Sequence, residues 1–267
     1  MKVLIAMAVN NSPENKRFQY TKQTLQDLVL KTNFHRSNGH ELTIVNNGNC
    51  EETMQFLQGF VYDRVGVHHE NINLISNSEN IGTARAINLA WKNRLPGQHC
   101  IKMDDDVIIH SSNWVEQMVE AIEREPRIGI VGLKRKDCTE TPYNPNPDLL
   151  SELEMLPHET GQRWIIVERA KHIIGTCQMY NSGLLDKIGY LYQPSLYGFD
   201  DVIASYRSHI ALFWNVFLPH IEIEHIDDGQ NEYQHWKEKH SSEVWDRVNR
   251  EVGEMIEGKR PIYIDFY

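Results

Sequence analysis

The chain is predicted to adopt an α/β fold around a mainly parallel sheet, on two observations. In the first half, short apolar runs alternate with helical stretches, the pattern of strands joined by covering helices. At residues 98–109, an apolar run ends in Asp104, Asp105 and Asp106, and another begins directly after them. A buried strand that delivers acidic side chains to the open edge of a sheet is where open α/β folds bind ligands. Adjacent carboxylates repel by roughly 1 kcal/mol per pair at 4 Å even in water, so a partner is needed to offset them. A divalent cation carrying a phosphate group would do so. Taken alone, the run reads equally well as a solvated turn, with Asp106 as a helix cap.

The elements follow in order. Residues 2–9, KVLIAMAV, read as a first strand, and 14–31 as a helix with Leu25, Leu28 and Val29 on its apolar face. Strand-like 41–48 precedes a helical EETMQFLQGF, and 72–76 is a third strand. Residues 80–93 turn into a helix before CIKM and the aspartates. Next come a helix near 113–125, with Ser111, Ser112 and Asn113 as its N-cap signal, and a strand at 127–133. Residues 137–162 hold Pro142, Pro145, Pro147 and Pro157 among polar residues, so a long loop or lid is expected there. β character resumes at 163–180, a short helix starts near Ser182, and FDDVIASYRSHI is helical. Residues 213–226 are strand-rich. Residues 232–256 form a last amphipathic helix, with Val244, Trp245, Val248, Val252 and Met255 expected to face the core.

Composition narrows the class. At 267 residues and 40% hydrophobic content the chain can bury a substantial core, expected as one domain with a tail. No run approaches the roughly 18 apolar residues of a membrane span, and no signal-peptide pattern follows Lys2, so a soluble, cytoplasmic protein is expected. Cys50, Cys100, Cys138 and Cys177 are widely spaced, which fits reduced thiols better than zinc or disulfides. A formal charge of −10 disfavours a sequence-independent grip on nucleic acid. The compact basic run Lys134, Arg135 and Lys136 reads as a solvated loop.

Five segments, in order, carry a resemblance: AVNNSP after the first strand, IVNNGNCEET after the second, NIGTARAIN, KMDDDV, and GFDDVIASYR followed by EIEHID. Together they resemble the family-2 glycosyltransferases and related enzymes of the GT-A fold. The resemblance implies a Rossmann-like, mostly parallel sheet flanked by helices. It divides the chain into a catalytic domain at 1–226 and a C-terminal helical tail at 227–267. Within the domain, 1–133 would bind the nucleotide-sugar and 134–226 the acceptor, with a loop or lid at 134–172.

The implied chemistry is sugar transfer from a nucleotide-diphosphate donor, a UDP-sugar by preference, to a saccharide or glycan hydroxyl. A hard cation on the diphosphate would lower the barrier as a Lewis acid. Aspartates suit Mg²⁺ or Mn²⁺, and one imidazole favours Mn²⁺. By resemblance Asp104, Asp106 and His225 are the metal ligands, and Asp104 and Asp105 also reach the donor. Asp201 is the general base of an inverting reaction, with Asp200 orienting the acceptor. Without the resemblance, Asp200 and Asp201 would read as helix caps and His225 as structural. Ala8, Val9 and Asn10 would follow the base and ribose, and Asn80, Gly82 and Arg85 would line the nucleotide pocket. Asn46 and Asn47 stand where relatives usually carry a base-binding aspartate; an amide both donates and accepts, so the base is open. Trp164, Tyr143 and His158 are candidates to stack on an acceptor sugar or pack the lid.

Other readings remain at this level. A nucleotidyltransferase would share the acidic α/β site but want a basic, Gly-rich loop, which AVNNSPENKR lacks. A catalytically silent nucleotide-sugar-binding module, a retaining transferase, and transfer to a modified nucleic-acid base are the remaining alternatives.

Overall fold

A computed structural model describes residues 2–34, 39–62, 71–136, 149–157, 164–227 and 232–266. Strands β1 (Leu4–Val9), β2 (Glu41–Asn47), β3 (Ile72–Asn77) and β4 (Cys100–Met103) pair in parallel in the order β3-β2-β1-β4. Helices α1 (Phe18–Lys31), α2 (Glu51–Tyr62) and α3 (Thr83–Trp91) make the crossovers. The sheet continues through β9 (Cys177–Tyr180), antiparallel to both β4 and β6 (Ile128–Arg135). Beyond β6 lie β10 (Trp214–His225), β8 (Trp164–Ala170) and β7 (Leu149–Pro157). Helices α4 (Trp114–Arg124), α5 (Ser182–Ile188), α6 (Asp200–Ile210) and α7 (Glu232–Ile256) complete the chain.

The unbroken apolar run of β1 has a physical cause. Val3, Ile5, Met7 and Val9 enter a core shared with α1, α2 and α4, whereas Leu4 and Ala6 enter a second core shared with α3, α5 and α6. Both faces of the strand are covered, as parallel sheets require. α4 shows the helical counterpart, burying Trp114, Val115, Met118, Val119 and Ile122 as one stripe.

Two expectations for the 134–172 region change. Residues 149–157, expected as part of an irregular lid, form β7, which pairs antiparallel with β8 from Leu153↔Glu168 to Pro157↔Trp164. Its regularity comes from that partner and from burial of Leu156 beside Ile165 and Val167, not from its own mixed composition. The basic run is not a solvated loop: Lys134 and Arg135 end β6, and Lys134 pairs with Glu168 at 2.8 Å.

In α7, Val248, Val252 and Met255 are buried as expected, but Trp245 is 55% exposed. The C-terminus docks by reciprocal backbone bonds, Tyr190 N–H to Ile264 O and Ile264 N–H to Ile188 O, both 2.9 Å. Buried Arg207 donates to the carbonyls of Ile188, Tyr190 and Ile262, which ties α6 to this corner. Cys100 and Cys177 are buried free thiols, and burial pushes the Cys100 thiol up to about 12. Tyr143 and His158 lie outside the described residues. Among the described residues, no helix is long and apolar enough to cross a membrane.

Candidate active site

Because β1, β2 and β4 run parallel in one register, their C-terminal ends open on the same side of the sheet. A cavity of about 180 Å³ lies there, lined by Ala8 and Asn10 at the end of β1, Asn47 of β2 and Asp104, Asp105 and Asp106 after β4. Asn80, in the turn before α3, and Asp200 and Asp201 of α6 and His225 of β10 reach the same cavity. Most of the residues named from the sequence are thereby brought together.

The three aspartates have divergent surroundings. Asp105 accepts from Arg17 Nη2 at 2.8 Å and from Thr21 Oγ1 at 2.6 Å, both at the start of α1, so it is engaged structurally. Asp106 accepts from the same Arg17 nitrogen at 2.7 Å, and its second partner is His225 Nε2 at 3.2 Å. Arg17 Nη1 pairs with Asp227. One buried guanidinium therefore holds three carboxylates from two parts of the chain. Burial works against the Asp106 charge, but His225 and Arg17 outweigh it and hold the carboxyl well below its usual range.

Asp104 is the opposite case. Burial raises its carboxyl to about 6, with Asp106 and Asp200 adding to the effect and Lys102 at 3.7 Å opposing it. Lys102 is itself buried in β4 and pairs with Asp200 at 2.9 Å. Burial opposes its charge, yet Asp200 and Asp104 keep the ammonium protonated well above the usual lysine range.

Strand register explains how His225 arrives. Short β5 (Val107–Ile109), directly after the aspartates, pairs antiparallel with the end of β10, so that His225 faces Val107 and Ile226 N–H bonds to Asp106 O at 2.9 Å. Residues 119 positions apart in sequence are thus set side by side by a three-residue strand.

Among the described residues, no three His, Cys, Asp or Glu side chains converge as a ready-made metal cage. The donor set nevertheless suits a hard divalent cation. Asp104, Asp106 and His225 all line the cavity, and Asp106 Oδ1 is buried with no hydrogen-bond partner among the described residues. One or two carboxylates completed by phosphate oxygens are a usual arrangement for such ions.

Asp201, at the N-terminus of α6, accepts Gly175 N–H at 2.9 Å and Val202 N–H at 2.8 Å, and lies 3.2 Å from His172 Nε2. Burial opposes its charge, but the His172 bond, His172 charge and Lys102 bring the carboxyl down to about 2. The residue at 175 must be small, because a Cβ there would lie 2.6 Å from Lys102 Nζ.

On the nucleotide side the picture is selective. Asn47 donates to Asn80 Oδ1 at 2.9 Å and accepts Ile81 N–H at 3.1 Å, which fixes the turn into α3. Val9 and Asn46 are buried beneath the cavity, and Asn46 donates back to Gly48 O. Arg85 sits on the exposed face of α3, because the buried face takes Ala84, Ala86, Ile87 and Asn88. Gly82 has φ +88°, and a Cβ there would meet Gln193 Oε1 at 3.1 Å and Leu196 Cα at 3.3 Å. Its close backbone approach serves the 193–196 segment. Trp164 is exposed on β8 and does not line the cavity.

Several lining groups were not read as site residues in the sequence: Arg17, Lys102, Arg135, which read as part of a solvated loop, and Tyr233, Trp236 and Lys237 of α7. Lys102 had a signal, a lysine inside the buried run CIKM, which needs a carboxylate partner. Arg17 had none, since its partners lie 88, 89 and 210 residues away.

Solved structures define the fold class as GT-A. The mannosyltransferase PcManGT from Pyrobaculum calidifontis, in complex with GDP-Man and Mn²⁺, is similar at TM-score 0.67 and 13% identity, covering 93% of this chain and 64% of that one. GalNAc-T7 with UDP, GalNAc and Mn²⁺ is similar at TM-score 0.60 and 13% identity, covering 86% and 45%. S. aureus TarS 1-349 with UDP-GlcNAc gives 0.57 and 13%, covering 85% and 61%. The chain thus spans from under half to just under two thirds of these relatives. A comparison with curated protein sequences returned no match. The family model for glycosyl transferase family 2 matches residues 12–189, about two thirds of the length, and the chain belongs to that family.

Proposed function

We propose that the protein transfers a sugar from a nucleoside-diphosphate donor to a saccharide or glycan hydroxyl, with inversion, using Asp201 as general base and Mn²⁺ or Mg²⁺ at Asp104, Asp106 and His225. The observation that carries this reading is one cavity in which Asp104, Asp106 and His225 stand on one side and Asp200 and Asp201 on the other, with Lys102 between them. In this reading residues 1–133 form the donor half, 134–226 the acceptor half, and 227–267 a helical tail.

Asn10 and Asn80 would meet the nucleoside, with Asn47 holding Asn80 and the turn into α3 in place, and Arg135 and Lys237 bring positive charge to the diphosphate. The bound cation would neutralise charge on the leaving diphosphate. Lys102 holds Asp200 in place and keeps the acceptor side from repelling the donor side. Asp201 is ionised at neutral pH, and its fixed bonds from Gly175 and Val202 leave it aimed without reorganisation. As the acceptor oxygen bonds to the anomeric carbon and the sugar–phosphate bond breaks, the hydroxyl becomes acidic and its proton passes to Asp201. A weak base takes that proton late in the step. A UDP-sugar is the favoured donor; Asn47 at the base-binding position makes GDP-sugars the next to test.

The test is a thermal-shift and donor-hydrolysis panel of UDP-, GDP- and other nucleotide-sugars with Mn²⁺, with Mg²⁺ and with chelator. At least one donor is expected to raise the melting temperature and to be hydrolysed only when metal is present. No metal-dependent response to any donor would overturn the reading.

A further inference from the structure

We propose that the first turns of α7 complete the nucleoside pocket, and that the Trp236 ring is the face on which the donor's base stacks. This rests on the donor reading above and adds a residue to it.

Size makes the first argument. At about 180 Å³ the central cavity falls below the roughly 300 Å³ at which small-molecule sites begin. It can hold a cation and phosphates but not a nucleoside as well. A recess of about 330 Å³ adjoins it, and Asn10, Asn80, Tyr233 and Trp236 line both. A donor whose diphosphate lies among the aspartates can place its nucleoside there, beside the loops after β1 and before α3; another cavity, lined by Tyr197, Phe199 and Trp245, shares only Tyr197 and Lys237 with the central one and none of the loop asparagines.

Chemistry makes the second argument. The wall supplied by the loop after β1 offers polar groups, Asn10, Ser12, Glu14 and Asn15, and among the described residues the aromatic surface of the recess comes from α7. A base needs both, polar atoms for its edge and a π-surface for its face. Trp236 is half-buried, and its neighbours fix the ring: Tyr233 stacked at 5.3 Å and 11°, Tyr197 edge-on at 5.9 Å, and His240 at 4.4 Å. Tyr233 has another task, since its ring also receives the Arg17 guanidinium at 4.9 Å and Lys237 Nζ at 4.8 Å. That leaves Trp236 as the stacking surface and Tyr233 as its backing.

The experiment is calorimetric titration of UDP, GDP and inorganic pyrophosphate, each with Mn²⁺, into wild type, Trp236→Ala and Trp236→Phe. Trp236→Ala is expected to weaken the favoured nucleoside diphosphate roughly 10- to 100-fold, the loss typical of removing a base-stacking aromatic. Pyrophosphate affinity should stay unchanged, and Trp236→Phe should recover most of the loss. Nucleotide should also quench wild-type tryptophan fluorescence, and the quench should disappear in Trp236→Phe, a variant that keeps the ring packing. Equal weakening of nucleotide and pyrophosphate, unchanged nucleotide affinity in Trp236→Ala, or an unchanged quench in Trp236→Phe would overturn the stacking role. Wild type that binds neither nucleotide would instead overturn the donor reading beneath it.

Discussion

Arg17 neutralises Asp105, Asp106 and Asp227 from a position only 4% exposed, so its removal leaves three buried carboxylates without their shared cation. Breaking a buried pair by deleting one partner costs about 3–5 kcal/mol. Arg17→Met should lose about that much in urea denaturation at pH 7. The loss should shrink as pH falls, because protonated carboxyls no longer need the guanidinium. Asp104 responds in the opposite sense. With its carboxyl raised to about 6, its charge opposes folding increasingly as pH rises from about 4 through 6. Asp104→Asn without metal should therefore melt a few degrees higher than wild type at pH 8, with the gain vanishing near pH 4, as read by a thermal scan. The three aspartates stood out in the sequence as a site, and the resemblance already set Asp104 and Asp106 apart from Asp105 as ligands, but the structural engagement of Asp105 and the raised carboxyl of Asp104 were not legible. Their surroundings are made by Arg17, Thr21, Lys102 and His225, which reach the cluster through the fold rather than through local spacing.

At the level of elements, the site depends on short segments that set its side chains against one another. β5 is three residues long, yet its pairing with β10 is what sets His225 against Asp106. Gly175 lets its own N–H reach Asp201 while Lys102 passes beneath it. Gly175→Ala should keep the protein folded but displace Lys102 or Asp201, lowering turnover more than donor affinity; steady-state kinetics with a donor titration would show it. Helices and strands with a strong period, such as α4 and β1, were legible because each stripe matches a covered face. β7 was not, since its order depends on β8, and Trp236 was not, because an aromatic on an amphipathic helix reads as core. Asp200 and Asp201 were legible as a helix start, and the cavity they line is the observation on which their proposed catalytic role rests.

Over the whole molecule, the parallel β3-β2-β1-β4 block presents three strand ends to one cavity, β10 sets His225 beside Asp106, and the start of α6 brings in Asp200 and Asp201. Opposed charges dominate that cavity, and they tie stability to pH. Asp201, at about 2 when folded, and Asp106, also held low, contribute stability that is complete above the ordinary carboxylate range and is lost as pH falls from about 4 towards 2. Denaturant titrations should find the protein losing stability steeply below pH 4. The central claim is a division of labour between the two acidic walls, and the most direct measurement is donor affinity and turnover, side by side, for Asp201→Asn. With a donor from the panel and Mn²⁺ present, its affinity should match wild type, while transfer falls by roughly 10²–10⁴, the usual contribution of a positioned base. Undiminished turnover, or affinity and turnover falling together by the same factor, would contradict the account.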